Sequence, residues 1–397
     1  MVRISLKPFW RRGVDVAQAV EGPMAGAGVG AESRPASAPQ EQAEAQRAFP
    51  GARGHGDTQQ AVAAYESALH ALAGQPGESV ALSVQVPFCA SHCLFCDRKI
   101  HAAQPSDVIS RYVRALGDEA ALLSQRIGRD RDVLQLHLGG GSANDLSDAQ
   151  LIRLVDALQA AWRLPSDAEM SVEYDPRRVF RQHLELMRGL GFRHVTFGVA
   201  DLDRAVQQAI GRCNSPALIE DVCAAARGAG FERIQLQLLM GLPHQSGPSW
   251  RATLDGVIAM APDRVSLMPY QHRPEQAPGQ HAIDNADLPD EALRAELQTL
   301  ASKVLRGAGY VSIGGSQFVL DEDELAVAQA AGRLRRNLIG YTATPATPLI
   351  GLGAGAVGEI GGSRFWNHAA LPDWHAALVA QRLPVACAGV AGPGGLH

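Results

Sequence analysis

The chain lacks a basic excess: 36 lysines and arginines stand against 41 acidic residues, for a formal net charge of −5. Broad nucleic-acid binding needs cations to neutralise phosphates, so that class of function is excluded. Any apolar run of about eighteen residues or more is also missing, and no membrane-spanning helix is expected. Lys7, Arg11 and Arg12 lie near the start, but no apolar stretch follows them, which argues against a secretory signal. Cysteine is sparse, six in 397 residues, too few for a disulfide framework. A reducing cytoplasm is the compartment that fits. What the chain does have is 46% hydrophobic residues, enough for a core in one large domain or two modest ones.

Three of the six cysteines fall together, in Cys89-Ala90-Ser91-His92-Cys93-Leu94-Phe95-Cys96. The spacing is C-x3-C-x2-C with no fourth cysteine nearby. A tetrahedral zinc site wants four ligands, usually as two C-x2-C pairs or as one pair completed by histidines. Three thiolates on one short loop suit instead a cubane iron–sulfur cluster, with three irons anchored and the fourth open to a ligand. A zinc knuckle is the competing reading of the spacing alone. Cys213, Cys223 and Cys387 are scattered and read as small buried or surface residues. With Phe95 just before the last cysteine, the run resembles the signature of radical S-adenosylmethionine enzymes. That resemblance implies a 4Fe–4S cluster on Cys89, Cys93 and Cys96, with S-adenosylmethionine chelating the open iron.

Residues 1–47 are rich in Ala, Gly, Pro, Gln and Ser and read as a disordered low-complexity extension. A helix is predicted over Gln59–Ala73, and from Val80 strands and helices alternate. Strands are predicted at Ala81–Val86, Val133–Leu138, Met170–Tyr174, His194–Val199, Arg233–Met240 and Arg264–Pro269. Helices fall between them at Val108–Ile127, Asp148–Trp162, His183–Leu190, Pro216–Ala229 and Ser249–Met260. Ser147 is a candidate N-cap and Gly230 a candidate helix stop. Such βα repeats predict an α/β fold with a parallel sheet, and six of them make a partial (βα)6 TIM-like barrel. A closed eight-stranded barrel is the competing architecture. Sites in these sheets lie at the carboxyl ends of the strands, and the cysteine loop follows the first strand directly. The barrel is expected over 48–290 and a further part of the core over 291–365, including a helix at Ala292–Gly307. A short tail is expected over 366–397, loose from Cys387 onward.

His137-Leu138-Gly139-Gly140-Gly141-Ser142 ends the second predicted strand, where glycines let a backbone approach a ligand closely. In order there follow Glu169 to Pro176, Phe197-Gly198-Val199-Ala200-Asp201, Gly211-Arg212 and Leu238 to Pro243. Then come Pro262 to Ser266, Asp287-Leu288-Pro289, Asp323 to Gln329 and Arg336 to Thr342. This ordered set resembles the oxygen-independent coproporphyrinogen III oxidase family across residues 48–362.

The resemblance implies an oxidoreductase of heme biosynthesis that turns two propionates of coproporphyrinogen III into vinyl groups. A 5′-deoxyadenosyl radical takes a hydrogen from the propionate β-carbon, so the cofactor carries the hard chemistry and the fold positions it. It further implies that Gly140, Gly141 and Ser142 line the cofactor cavity and that Glu173 hydrogen-bonds S-adenosylmethionine. Arg212 should pair with the cofactor carboxylate, a task for a planar, always-charged donor. Gln237 and Gln271 complete the implied cofactor site. A tetrapyrrole substrate, an electron donor and a monomeric protein are expected.

Departures from the family pattern are specific. Ser83 and Gln85 stand where a tyrosine and a histidine are expected, Ala200 for a glutamine and Gln237 for an aspartate. Ser316 and Gln317 replace an aspartate and a histidine, and Asp97-Arg98-Lys99 lacks an additional cysteine. The family's C-terminal helical domain is expected to be largely missing. Together these predict an intact cluster and first cofactor site, with a second S-adenosylmethionine site eroded. A heme-chaperone-like paralogue, or a radical enzyme with another tetrapyrrole reaction such as methyl transfer, are the rival readings.

Overall fold

The computed structural model describes residues 57–390, so the extension at 1–47 and the last residues of the tail lie outside the described residues. A first helix, α1 (Thr58–Ala73), leads into β1 (Val80–Val86) and the short β2 (Phe88–Cys89) and β3 (His101–Ala102). The alternation then runs α2 (Ser106–Ile127), β4 (Val133–Gly140), α3 (Asp148–Ala161), β5 (Glu169–Tyr174), α4 (Arg181–Gly189) and β6 (His194–Ala200). It continues with α5 (Arg204–Ala209), α6 (Pro216–Ala229), β7 (Arg233–Met240), α7 (Gly247–Ala259) and β8 (Arg264–Pro269). Next come α8 (Glu291–Gly307), β9 (Val311–Ile313), β10 (Gln317–Val319) and α9 (Glu324–Ala330). The last elements are β11 (Arg335–Arg336), β12 (Tyr341–Thr342), β13 (Leu349–Leu352), β14 (Val357–Ile360), β15 (Ser363–Asn367), α10 (Leu371–Val379) and β16 (Val385–Val390).

Local chemistry sets these boundaries. Ser147 and Gln150 form a reciprocal capping box at the start of α3. Gly230 ends α6 at φ 90°, in the left-handed region that glycine enters without a Cβ penalty. Along β5 the residues alternate: Met170, Val172 and Tyr174 are buried, while Glu169, Ser171 and Glu173 on the opposite face are half-buried. The apolar face packs under the helices. The polar face is where chemistry can happen.

The six predicted strands are present, and β13 adds a seventh parallel strand beside β1. The parallel order is β13-β1-β4-β5-β6-β7-β8, extended by antiparallel β14, β15 and β16 at one edge and by β10 and β9 at the other. Among the described residues the sheet stays open rather than closing into eight strands. Segments from 317–342 lie against its polar face at the amino ends of the strands. Asn337 donates to Gln135 at 2.7 Å, Thr342 to Glu169 at 2.7 Å, and Gln317 to Gln235 at 3.0 Å. Asp323 and Glu324 take Arg264 at 2.8 and 2.6 Å. The late motifs thus plug the end of the barrel away from the cysteine loop.

One expectation fails. The segment from Cys387 does not begin a loose tail, because Val385–Val390 forms β16, paired antiparallel with β15. The intervening α10 buries Trp374, whose ring lies 4.7 Å from that of Tyr112. The strand Val-Ala-Cys-Ala-Gly-Val is made of small residues with no polar alternation, so its period was not visible in the sequence. No described helix is long and apolar enough to cross a membrane.

Candidate functional site

The cysteine loop leaves β1 at the carboxyl end of the sheet and is fastened along its length. The N–H groups of His101 and Ala103 donate to Pro87 O and Cys89 O at 2.7 and 2.9 Å, and Leu94 N–H to Ile210 O at 3.1 Å. Gln280, fully buried, donates to Phe95 O at 2.9 Å. Leu94 and Phe95, between the second and third cysteines, pack on a small apolar cluster that includes Val206, Ile210, Leu242 and Tyr270. The residues between the thiols therefore anchor the loop and leave the thiols available.

The glycine run of β4 meets this loop at close quarters. A Cβ on Gly141 would run into Phe88 O and approach Val86 O to 2.6 Å, so only glycine fits. That closeness lets Gly141 N–H donate to Val86 O at 2.7 Å and Ser142 N–H to Phe88 O at 2.9 Å. Gly140, at φ 104°, turns its carbonyl to Arg98 Nη1 at 2.8 Å. Ser142 Oγ donates to Asn144 and accepts the N–H of Asp175 at 3.0 Å.

Three guanidinium groups and two carboxylates surround the thiols. Arg212 Nη1 lies 3.4 Å from Cys93 Sγ, and its Nη2 donates to Gly198 O at 2.5 Å. Asp175 braces it at 3.3 Å and also holds Arg177 at 2.6 Å; Arg177 Nη2 in turn lies 3.7 Å from Cys93 Sγ. Burial alone would push the Asp175 carboxyl up, but Arg177 and Arg212 outweigh it and hold it below the ordinary range. Glu173 pairs with Arg98 at 2.8 Å and has His137 Nε2 at 3.6 Å. There too burial is outweighed, by Arg98 and then His137, and the carboxyl lies well below its usual range. Burial, reinforced by repulsion from Cys96, Asp145 and Cys93, pushes the Cys89 thiol up to about 12.

Sequence-predicted residues divide into two groups. Cys89, Cys93 and Cys96 share one loop and act on one another, and with Arg212, Ser142, Gly140, Gly141 and Glu173 they are joined by the contacts above, directly or through Asp175 and Arg98. Gln237 lies on β7 between Gly198 and Ser266 of the neighbouring strands, half-buried. Gln271 follows β8, and its carbonyl accepts from Gln280 at 3.2 Å. Neither touches the thiol group. Sequence reasoning missed Arg98, His137, Asp175 and Arg177; the signal available for Asp175 and Arg177 was Asp-Pro-Arg directly after a strand on the thiol side.

The donor set fits a 4Fe–4S cluster. Three soft thiols share one loop, close enough to raise one another's protonation. A cubane spreads its thiolates over separate irons. Arg212 Nε is buried without a partner beside them, a donor held in reserve next to the thiols.

A family model described as the Radical SAM superfamily matches residues 84–255, from the end of β1 through the cysteine loop and strands β4 to β7 into α7. The oxygen-independent coproporphyrinogen III oxidase of Pseudomonas aeruginosa is 36% identical over 314 residues, covering 78% of this chain and 68% of that one. The Escherichia coli enzyme of the same name is 34% identical over 307 residues, covering 77% and 67%. A solved structure of coproporphyrinogen III oxidase from Escherichia coli, described as a radical SAM enzyme, superposes with a TM-score of 0.78. It is 32% identical and covers 83% of this chain and 75% of that one.

The chain belongs to the oxygen-independent coproporphyrinogen III oxidase family.

As a radical SAM protein of that family it uses a 4Fe–4S cluster and S-adenosylmethionine. It spans about two thirds of the length of the curated relatives. In this chain Asp323, Glu324, Asn337 and Thr342 lie against the polar face of the sheet at the end away from the thiols.

Proposed function

We propose that this chain catalyses oxidative decarboxylation of propionate side chains on coproporphyrinogen III, in the cytoplasm and as a monomer. The carrying observation is Arg212: a guanidinium braced by Asp175 and Gly198 O, with Nη1 3.4 Å from Cys93 Sγ. A fixed cation beside the thiols suits a carboxylate that must be held next to a cluster. When bound, the cluster and S-adenosylmethionine supply a one-electron cleavage that yields a radical able to take hydrogen from an unactivated carbon.

The chain's own residues do the rest. Cys89, Cys93 and Cys96 anchor the irons, and Gly141 and Ser142 hold the cysteine loop against β4. Arg212 and Glu173 orient S-adenosylmethionine, with Gln237 and Gln271 further along the rim. Among the described residues the barrel strands run from β1 to β8 with β13 beside β1, and segments of 317–342 close the end away from the thiols. An external electron donor completes the cycle.

The experiment is anaerobic reconstitution followed by incubation with coproporphyrinogen III, S-adenosylmethionine and a reductant. Protoporphyrinogen with one carbon dioxide per propionate is the expected product. Heme binding without turnover, or a methylated tetrapyrrole, would replace this reading with one of its rivals.

A further inference from the structure

Arg98 lies two residues past Cys96; its backbone N–H is bonded to the Cys96 thiol, and a single guanidinium nitrogen makes both of its side-chain hydrogen bonds. Nη1 donates to Gly140 O at 2.8 Å and to Glu173 Oε2 at 2.8 Å. The cysteine loop, the end of β4 and the end of β5 therefore meet at one guanidinium. None of this is needed to hold the sheet together. Strands β4 and β5 already pair from Gln135 with Glu169 to Leu138 with Val172, and the loop is tied separately by Gly141 and Ser142. What Arg98 fixes is the Glu173 side chain, which it ties to the Gly140 carbonyl.

Without it the Glu173 side chain would be free to turn. The other oxygen of Glu173 lies 3.6 Å from His137 Nε2, an alternative partner on the far side. The Gly140 carbonyl is already oriented, because its peptide partner, the Gly141 N–H, donates to Val86 O at 2.7 Å; it offers Arg98 a fixed acceptor.

We propose that Arg98 is a positioning residue of the S-adenosylmethionine site, holding Glu173 beside the glycine run in the arrangement that the cofactor meets. A preformed arrangement avoids the cost of ordering these groups on binding. The proposal rests on the reading of this site as the S-adenosylmethionine site. Because both hydrogen bonds leave from one nitrogen, the guanidinium fork is not used, and a lysine ammonium is able to replace it.

The test is equilibrium dialysis of S-adenosylmethionine against reconstituted protein, with iron content and the thermal midpoint measured on the same samples. Arg98→Met is expected to load iron as the wild type does and to bind S-adenosylmethionine about tenfold or more weakly. Arg98→Lys is expected to restore affinity to within about threefold, a rescue that loss of a purely structural contact would not give. Arg98→Met binding within about threefold of wild type overturns the proposal. If that variant does not load iron, Arg98→Gln is judged by the same thresholds; should it also fail to load iron, Arg98 serves the cysteine loop and the proposal falls. Wild-type protein that loads iron yet binds no S-adenosylmethionine overturns the reading of the site itself.

Discussion

At the scale of single residues, the site is a balance of charge around thiols. Arg98 pairs with Glu173 and Asp175 is shared between Arg177 and Arg212, so Arg212 keeps a donor, its Nε, for an incoming carboxylate. Truncating Arg212 should therefore weaken S-adenosylmethionine binding by about 1.5–3 kcal/mol, the range for a hydrogen bond to a charged group. Isothermal titration of Arg212→Ala against wild type checks this, and equal affinities would count against the assignment. Gly141 offers a second test with no charge involved. Its missing Cβ lets β4 hold the cysteine loop at Val86 and Phe88, so Gly141→Ala must push those carbonyls away. Iron loading of Gly141→Ala should drop well below that of wild type, measured as iron per chain after reconstitution, while Gly189→Ala, with open space at its Cβ, should load normally.

At the scale of elements, helix α2 is tied to the late strands by one carboxylate. Glu119 accepts from Gly353 N–H at 2.7 Å, Asn367 Nδ2 at 2.7 Å and Trp374 Nε1 at 3.2 Å. Burial outweighs these donors and raises its carboxyl to about 7. The folded state thus holds this proton more tightly than the unfolded chain does. The associated stabilisation is complete below about pH 4.3 and is lost as pH rises through about 7, on the order of 3 kcal/mol. Thermal midpoints should fall across that window, and Glu119→Gln should remove this part of the slope; an unchanged slope in the variant would contradict the account.

The same elements show what was legible in advance. The six parallel strands and their helices were readable because one face of each is apolar at a fixed period, as in Met170, Val172 and Tyr174 of β5. The thiol loop was readable because its chemistry is local in sequence. Strand β16 was not, since its small residues carry no alternation and its order comes from pairing with β15. Nor were Arg98 and His137 visible as partners of Glu173, because those contacts cross 75 and 36 positions of chain and leave no local pattern.

At the scale of the whole molecule, the polar face of the barrel is plugged at one end by residues 317–342 and furnished with thiols and arginines at the other. Between them stand Ser83, Ala200 and Gln237, where the sequence resemblance leads one to expect tyrosine, glutamine and aspartate. Ala200 is buried at φ 69° and brings no polar side chain to the rim. A ligand left with unpaired polar groups loses about 1–3 kcal/mol for each, so two such losses weaken a second site by roughly two orders of magnitude or more. One equivalent of S-adenosylmethionine is therefore expected at micromolar concentration, with slow decarboxylation of coproporphyrinogen. Two equivalents by equilibrium dialysis, with turnover at a rate typical of the family, would contradict this.

The central claim is that Cys89, Cys93 and Cys96 hold a cluster with one iron open to S-adenosylmethionine, and electron paramagnetic resonance tests it most directly. The anaerobically reconstituted, dithionite-reduced protein should give a 4Fe–4S signal that shifts on addition of S-adenosylmethionine. That signal should vanish in each single cysteine-to-alanine variant. Stoichiometric zinc with no iron after anaerobic purification, or a cluster signal that S-adenosylmethionine leaves unchanged, would contradict the account.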